Sequence, residues 1–515
     1  MGSEGSATSR ILNNSIWIGL ETIIETAVFL AASVAVARYL GPTKLGYFSF
    51  INFFVTVITR TGGSGLSGAT RKYMSEYLAA GQIGTARAVY HLAYRYQLLG
   101  ACSITVLGVA GISLFGDPGY KVMASILVLS IVPGVMSWVP AEANNAFEDA
   151  RKNTLSAFGY LIAYAIVIVL TLHFHWDLVG IASATLIGRM TEVVLRTIPL
   201  HRKLRSLPLD ALSSEVTGRI RRFCLQAIAI QLLMTVVWDR SEMVFLKAFS
   251  TLEQVAFYSI SFGLAANLLV FPRTFGGATG ITLMVESSRD PSRVGGIVKS
   301  ACRYLLLVGF PVNLGAAAIT NQVIRITYGA RYTGAIPVLI VAAILSIPRI
   351  LQDLPDILLR AADQQKRLFV WLIVTGVVNL VLDGALIPHF GAVGAAWANG
   401  LSQSLGVCFI WRQAQRSFTF TFPLRDAIRL FTAALCMAGL AWFITQHLHG
   451  MAGVIIAVVT ALPTYILLIR LFGSLDLTDS QRLLLIVNRL PAFSRRGFAA
   501  AVAFLVPAVE EIQSM

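Results

Sequence analysis

Two arginines sit inside long apolar runs, and each opens nearly the same phrase. Ile58-Thr59-Arg60-Thr61-Gly62-Gly63 is matched, 213 residues on at the arginine, by Phe271-Pro272-Arg273-Thr274-Phe275-Gly276-Gly277. A guanidinium at membrane depth costs about 2.5–3.5 kcal/mol on insertion scales, so it persists where it faces a cavity or a partner. It stays ionised in a low dielectric, and its planar donors fit the oxygens of a phosphate or diphosphate. The pair therefore predicts a duplicated chain that presents two cations to an anionic cargo. Snorkelling to headgroups or internal salt bridges are the plainer alternatives.

Carboxylates in the same apolar surroundings are the second set of candidates. Glu21 and Glu25 lie one helical turn apart and share a face with Asn14 and Trp17. An apolar setting favours the neutral carboxyl, more so beside a second acid, which suits coupling to a proton or Na⁺. A fixed ion pair with Arg60, Arg240 or Arg273 is the competing expectation. Asp239 and Glu242 share a helical face, while Arg240 points elsewhere, and Asp383 lies in a later apolar run. These four are candidates for ion pairs that line a cavity. Arg189 with Glu192, Arg349 with Asp353, and Asp356 with Arg360 have helical spacing and read as structural pairs.

Enzymatic and metal chemistry find less support. No G-x-x-x-x-G-K-S/T phrase occurs, so hydrolysis of ATP by a P-loop is not expected. His173, His175, His389, His447 and His449 gather near one expected face without compact ligand spacing, so no metal, and no other cofactor, is called for. Cys102, Cys224, Cys302, Cys408 and Cys436 lie in or beside apolar runs without a C-x-x-C pair, and are expected to be packing residues.

The elements that must carry these residues are membrane spans. The chain of 515 residues is 56% hydrophobic and only 13% charged, whereas soluble chains carry about 25% charged residues. The expected fold class is an all-α polytopic membrane protein of about fourteen transmembrane helices, at 15–38, 46–66, 88–114, 121–142, 155–173, 178–199, 222–246, 255–284, 301–320, 333–352, 368–388, 392–411, 426–446 and 451–472. Span 255–284 is long and carries Pro272, which predicts a kink or tilt. The net charge of +15 does not call for nucleic acid. Its lysines and arginines fall mostly on alternate connections, which by the positive-inside rule places both termini in the cytoplasm. The first span reads as retained, not as a cleaved signal.

An internal repeat divides the chain. His175-Trp176-Asp177-Leu178-Val179-Gly180-Ile181-Ala182 aligns with His389-Phe390-Gly391-Ala392-Val393-Gly394-Ala395-Ala396, and Lys152 with Lys366, both 214 residues apart. Six spans per copy preserve direction, so the repeat is parallel, with its pseudo-axis along the membrane normal. The expected parts are a six-helix lobe at 1–200, a basic cytoplasmic linker at 201–221, a second six-helix lobe at 222–412, two further helices within 413–473, and a cytoplasmic or interfacial tail at 474–515.

Several phrases carry a family resemblance. Ala37-Arg38-Tyr39-Leu40-Gly41-Pro42-Thr43-Lys44-Leu45-Gly46-Tyr47 resembles the first-loop signature of polysaccharide biosynthesis flippases. So do Tyr328-Gly329-Ala330-Arg331-Tyr332, the stretch from Leu386 to Ala396, and Asp239-Arg240. The resemblance, over roughly residues 10–470, is to the Wzx-type oligosaccharide flippases, in the superfamily that includes lipid II flippases and multidrug-and-toxin exporters. It implies two six-helix lobes around a cavity that opens alternately to each side. It further implies an oligosaccharide cargo on a polyprenyl (di)phosphate, with Arg60 and Arg273 matching the second- and eighth-span cavity cations. The first-span arginines of lipid II flippases are absent, and Glu21 and Glu25 stand there instead.

The expected function is flipping of that lipid-linked oligosaccharide from the inner to the outer leaflet of the cell inner (plasma) membrane, driven by an ion gradient or the membrane potential. Expected partners are the lipid-linked cargo, membrane lipids, H⁺ or Na⁺, and a polysaccharide polymerase and glycosyltransferases. A cation-coupled multidrug exporter is the alternative. A membrane-embedded glycosyltransferase or polymerase is the lesser one, since the outer connections look too short for an active site.

Overall fold

The computed structural model describes residues 2–238 and 241–473, and among them every regular element is helical. This follows from the solvent. In hydrocarbon each backbone N–H and C=O must find its partner within the protein, which a helix achieves by itself. Large apolar side chains such as Ile23, Leu107, Val169, Val381 and Val459 point outward, as expected of a lipid-facing surface. The chain is a multi-pass membrane protein. Among the described residues ten helices are long and apolar enough to cross a bilayer, and some of these are double.

Contacts gather the chain into two units, the first ending at Ala256 and the second beginning at Phe257. The first holds α1 (Gly2–Ala79), α2 (Ile83–Phe115), the interrupted run α3 (Lys121–Leu129), α4 (Ile131–Met136) and α5 (Trp138–Ala146), then α6 (Ala150–Phe174), α7 (Asp177–Arg205), α8 (Ser214–Trp238) and α9 (Glu242–Phe249). Helix α10 (Leu252–Leu268) runs from the first unit into the second. The second continues with α11 (Val270–Arg289), α12 (Pro291–Thr327), the interrupted run α13 (Ala335–Leu345) and α14 (Asp353–Ala361), then α15 (Gln365–Ser417), α16 (Leu424–His447) and α17 (Gly450–Leu471). Helix α1 turns at Gly41 (φ 74°) and α15 at Gly391 (φ 54°). Wherever they are described, the fourteen expected spans thus fall on helical segments or interrupted helical runs. Span 255–284 breaks at Leu269, between α10 and α11. Pro272, three residues later, has no N–H to donate to the preceding turn.

Backbone features repeat where the sequence does. Pro133 and Pro140 interrupt the α3–α5 run, and Pro348 and Pro355 interrupt α13–α14, each 215 residues later. Both runs end in the same left-handed turn, at Glu148 (φ 58°) and Asp363 (φ 55°). In both, the next N–H reaches back five residues: Asp149 to the Asn144 carbonyl and Gln364 to the Leu359 carbonyl, each at 2.9 Å. Asp177 (φ 52°) and Gly391 (φ 54°) are a further left-handed pair at the 214-residue spacing.

Packing within each unit relies on small residues, because lipid tails supply no hydrophobic drive between helices and close van der Waals approach must. Helix α17 buries Gly453, Ala457 and Ala461 at four-residue spacing. Helix α16, which it contacts, buries Ala427, Ala433, Ala434, Ala438 and Ala441. The Tyr465 hydroxyl of α17 donates to the Leu307 carbonyl of α12 at 2.8 Å. Helix α12 is started by Asp290, whose carboxylate accepts from the Ser292 N–H at 3.2 Å. Hydrogen bonds from Ser292 and the charge of Arg293 hold the Asp290 carboxyl below the usual carboxylate range.

The packing role expected of the cysteines holds only for Cys224 and Cys302. Cys102, Cys408 and Cys436 are exposed, because their helices carry apolar residues around the lipid-facing side as well. The contact boundary at Ala256 is a different quantity from the repeat boundary expected at 201–221: helix α8 packs on α1 and is counted with it. The division into lobes at 1–200 and 222–412 stands as a proposal from the repeat, and the tail at 474–515 lies outside the described residues.

Candidate functional site

Arg60 lies on the second arm of α1 and Arg273 on the first turn of α11. The glycine phrases behind them have a common structural purpose. A Cβ on Gly63 would sit 2.8 Å from the Trp138 ring, and one on Gly276 would sit 2.8 Å from Asp353 Oδ2. Trp138 and Asp353 begin α5 and α14, the last segments of the two proline-interrupted runs. In each unit, then, the arginine-bearing helix packs its glycine against an equivalent neighbour. Arg60 is exposed and engaged in contacts of its own. The Arg273 side chain lies outside the described residues.

The first unit also holds a buried polar core. Thr154, fully buried on α6, donates its hydroxyl to Glu21 Oε2 at 2.7 Å. Glu25 lies within electrostatic reach of Glu21, Arg189 and Glu192. On α7, Arg189 Nη1 donates to Glu192 Oε2 at 2.8 Å, and Arg196 Nη2 lies 3.0 Å from Glu192 Oε1. The side chains of Glu192 and Arg196 are each 8% exposed. Arg196 also donates from Nε to Ser156 Oγ at 3.0 Å and from Nη1 to the Ser137 carbonyl at 3.2 Å, at the break between α4 and α5. The Arg189 guanidinium stacks over the Tyr160 ring at 4.6 Å. The expected Arg189–Glu192 pair is therefore part of a triad, and Arg189 is the cation that reaches Glu25. Arg196 was not foreseen, although positions 189, 192 and 196 share one helical face.

In the second unit Asp383 is fully buried on α15. Asn379 Nδ2 donates to its Oδ2 at 3.1 Å, and Ser402 Oγ donates to Asn379 Oδ1 at 2.7 Å. The carboxylate thus sits among amides and hydroxyls from both arms of α15. Glu242 is fully buried at the start of α9. Asp239 and Arg240 lie outside the described residues, so their relation to Glu242 remains a proposal. Arg360 Nε donates to Asp356 Oδ2 at 2.9 Å, as expected of an exposed helical pair.

A cluster of loops in the first unit carries contacts that sequence patterns did not announce. Lys44 pairs with Asp177, whose N–H donates to the Tyr39 hydroxyl at 3.2 Å. Tyr39 stacks on His175 at 6.1 Å. Thr43 Oγ1 donates to Glu253 Oε1 at 3.1 Å. A Cβ on Gly46 would lie 1.8 Å from the Leu252 carbonyl oxygen, so only glycine permits this approach. The first-loop phrase is a docking surface for the connections at 175–177 and 250–253.

A family model described as polysaccharide biosynthesis protein matches residues 35–337. A second, described as lipid II flippase MurJ, matches residues 284–464. Among curated proteins the chain is similar to the probable flippase AglR of Haloferax volcanii, at 23% identity over 205 residues, covering 39% of this chain and 42% of the relative. It is also similar to a probable low-salt glycan biosynthesis flippase of the same organism, at 27% identity over 158 residues, covering 30% and 31%. The chain thus spans less than half the length of the curated relatives it matches. Among solved structures it resembles lipid II flippase MurJ in an inward closed conformation, with TM-score 0.71, 16% identity and coverage of 89% of this chain and 98% of the other. It also resembles an inward-facing multidrug resistance MATE family transporter of the MOP superfamily, with TM-score 0.66, 15% identity and coverage of 78% and 98%. At these identities the two likenesses establish the fold.

Proposed function

Because the chain belongs to the polysaccharide biosynthesis protein family, we propose that it flips an oligosaccharide linked to a polyprenyl (di)phosphate from the inner to the outer leaflet by alternating access. The observation that carries the reading is the repeated arginine–glycine phrase, seated the same way on its neighbour in both units. Arg60 and Arg273 each contact the carrier phosphates during the cycle, where planar charged donors match them best. The chain acts as a transporter with no covalent step, in the cell inner membrane, with both termini cytoplasmic. The glycosyltransferases that make the cargo and the polymerase that consumes it would be its functional partners. The direct test is reconstitution in vesicles. Lipid-linked saccharide accessible to a glycosidase or to periodate should appear on the far leaflet only when the intact chain is present.

Glu21 and Glu25 are the proposed coupling groups. Glu21 accepts a hydrogen bond from Thr154, and Glu25 lies within electrostatic reach of Arg189 and Glu192. Glu21→Gln and Glu25→Gln should flatten the pH or Na⁺ dependence of transport. Unchanged dependence in both variants would move coupling elsewhere. Asp383, Glu242, Asp239 and Arg240 remain secondary candidates for ion pairs that change during the cycle.

The orientation has its own check. A cysteine at position 121, replacing Lys121, should be labelled by an impermeant reagent from outside the cell. One at 214, replacing Ser214, should react only from the cytoplasm. Labelling of both from one side would overturn the topology. The multidrug-exporter reading is favoured by the acidic pair at Glu21 and Glu25 and predicts transport of amphipathic cations. A lack of such transport, with lipid-linked saccharide flipped, separates the two.

A further inference from the structure

The second unit contains a cleft of about 670 Å³ between α11 and α12, within the roughly 300–1,000 Å³ typical of ligand pockets. Among the described residues its lining includes three cations, Arg293, Lys299 and Arg303, and no carboxylate. Arg303 is 7% exposed and pairs with Asp426 of α16 at 3.1 Å. Arg293 pairs with Asp290 at 3.0 Å. Lys299 is exposed and has no ion-pair or hydrogen-bond partner among the described residues. The cleft therefore carries one cation beyond those already balanced.

Its walls change character along α12. Ser292 and Arg293 lie in the first turn, and Arg303 and Tyr304 about three turns further in, some 15–20 Å along the axis. Phe275 and Tyr304 meet edge to face at 6.4 Å and, with Ile297 nearer the mouth, add apolar surface to the lining. A Cβ on Gly296, which lines the cleft, would meet nothing within 4 Å. A positive mouth at the end of a transmembrane helix, with aromatic and aliphatic side chains in the same lining, matches a lipid head and its first methylenes. A free ion would leave those apolar side chains unused.

We propose that this cleft binds the phosphate-bearing head of an anionic lipid, with Lys299 and Arg293 on the phosphate and Gly296 leaving room for it. The site does not depend on the roles assigned to Arg60 and Arg273. Two lipids share the required chemistry: a resident anionic phospholipid and the diphosphate carrier of the cargo.

The test is native mass spectrometry of the full-length chain in detergent, titrated with phosphatidylglycerol or with phosphatidylcholine. Phosphatidylglycerol should bind about tenfold tighter or more. Lys299→Gln and Gly296→Leu should each weaken it about fivefold or more, with melting temperature unchanged for the exposed Lys299→Gln. Equal retention of both phospholipids, or binding unchanged in both variants, would overturn the proposal. Displacement of phosphatidylglycerol by undecaprenyl diphosphate would assign the cleft to the carrier, and lack of displacement to a resident phospholipid. Arg60→Ala and Arg273→Ala proteins should bind phosphatidylglycerol like the parent, so failure of the transport reading would be seen separately.

Discussion

Replacing Arg60 or Arg273 with Ala is expected to stop lipid-linked saccharide from appearing at the outer leaflet while protein abundance stays normal. Truncating one partner of a desolvated, hydrogen-bonded charge pair costs about 2–5 kcal/mol, which is a loss of about thirtyfold or more in binding. Lysine should restore part of the activity at either position. It keeps the charge but lacks the planar fork that grips two oxygens at once. Gly63→Leu and Gly276→Leu should mimic the loss through position alone, since a side chain there would drive the arginine-bearing helix off Trp138 or Asp353. Export at the parental rate from both alanine variants, measured by surface accessibility of the sugar, would remove the arginines from the mechanism.

Much of this architecture is legible in the sequence because the bilayer imposes a simple rule. A helix that must span hydrocarbon shows as about twenty apolar residues, and the described parts of the fourteen expected spans fall on helical segments or interrupted runs. The repeat was legible from His175 with His389 and Lys152 with Lys366. The structure adds anchors of another kind, Pro133 with Pro348 and Pro140 with Pro355. These prolines stand in each copy with the same spacing and could have been read. Their meaning as paired breaks within one span could not, because a membrane helix tolerates proline when neighbours re-satisfy the backbone.

Side-chain partnerships were the less legible part. Glu21 was recognisable as an intramembrane acid, but its hydrogen bond from Thr154 joins residues 133 positions apart. Nothing local specifies it. The Gly46 approach to the Leu252 carbonyl is equally non-local. By contrast, Arg189, Glu192 and Arg196 form their triad along one helix, where spacing alone sets the neighbours. Arg189 and Glu192 already satisfy a simple acid–base pairing, so spacing alone does not single out Arg196; one carboxylate serves both guanidinium groups, one on each oxygen.

That shared carboxylate makes Glu192 the residue whose loss should most destabilise the fold. Glu192→Ala leaves the Arg196 guanidinium, 8% exposed, without its counter-charge. Removing one partner of a buried pair costs about 3–5 kcal/mol, because the stranded charge keeps its full desolvation penalty. The hydrogen bonds from Arg196 to Ser156 and the Ser137 carbonyl offset part of this, so the lower end of that range is expected. The measurement is thermal unfolding of the purified protein, with Glu192→Ala melting well below the parent. Arg196→Met combined with Glu192→Leu and Arg189→Leu should recover most of the loss, since apolar groups of similar volume replace buried ion pairs at little cost. Glu25→Gln should barely move the melting temperature, because Glu25 is exposed and makes no direct bond to the triad's arginines. A parental melting temperature for Glu192→Ala would show that the triad is solvated in the working protein. The two phenotypes separate a carboxylate that holds the first unit together from one free to exchange its ion.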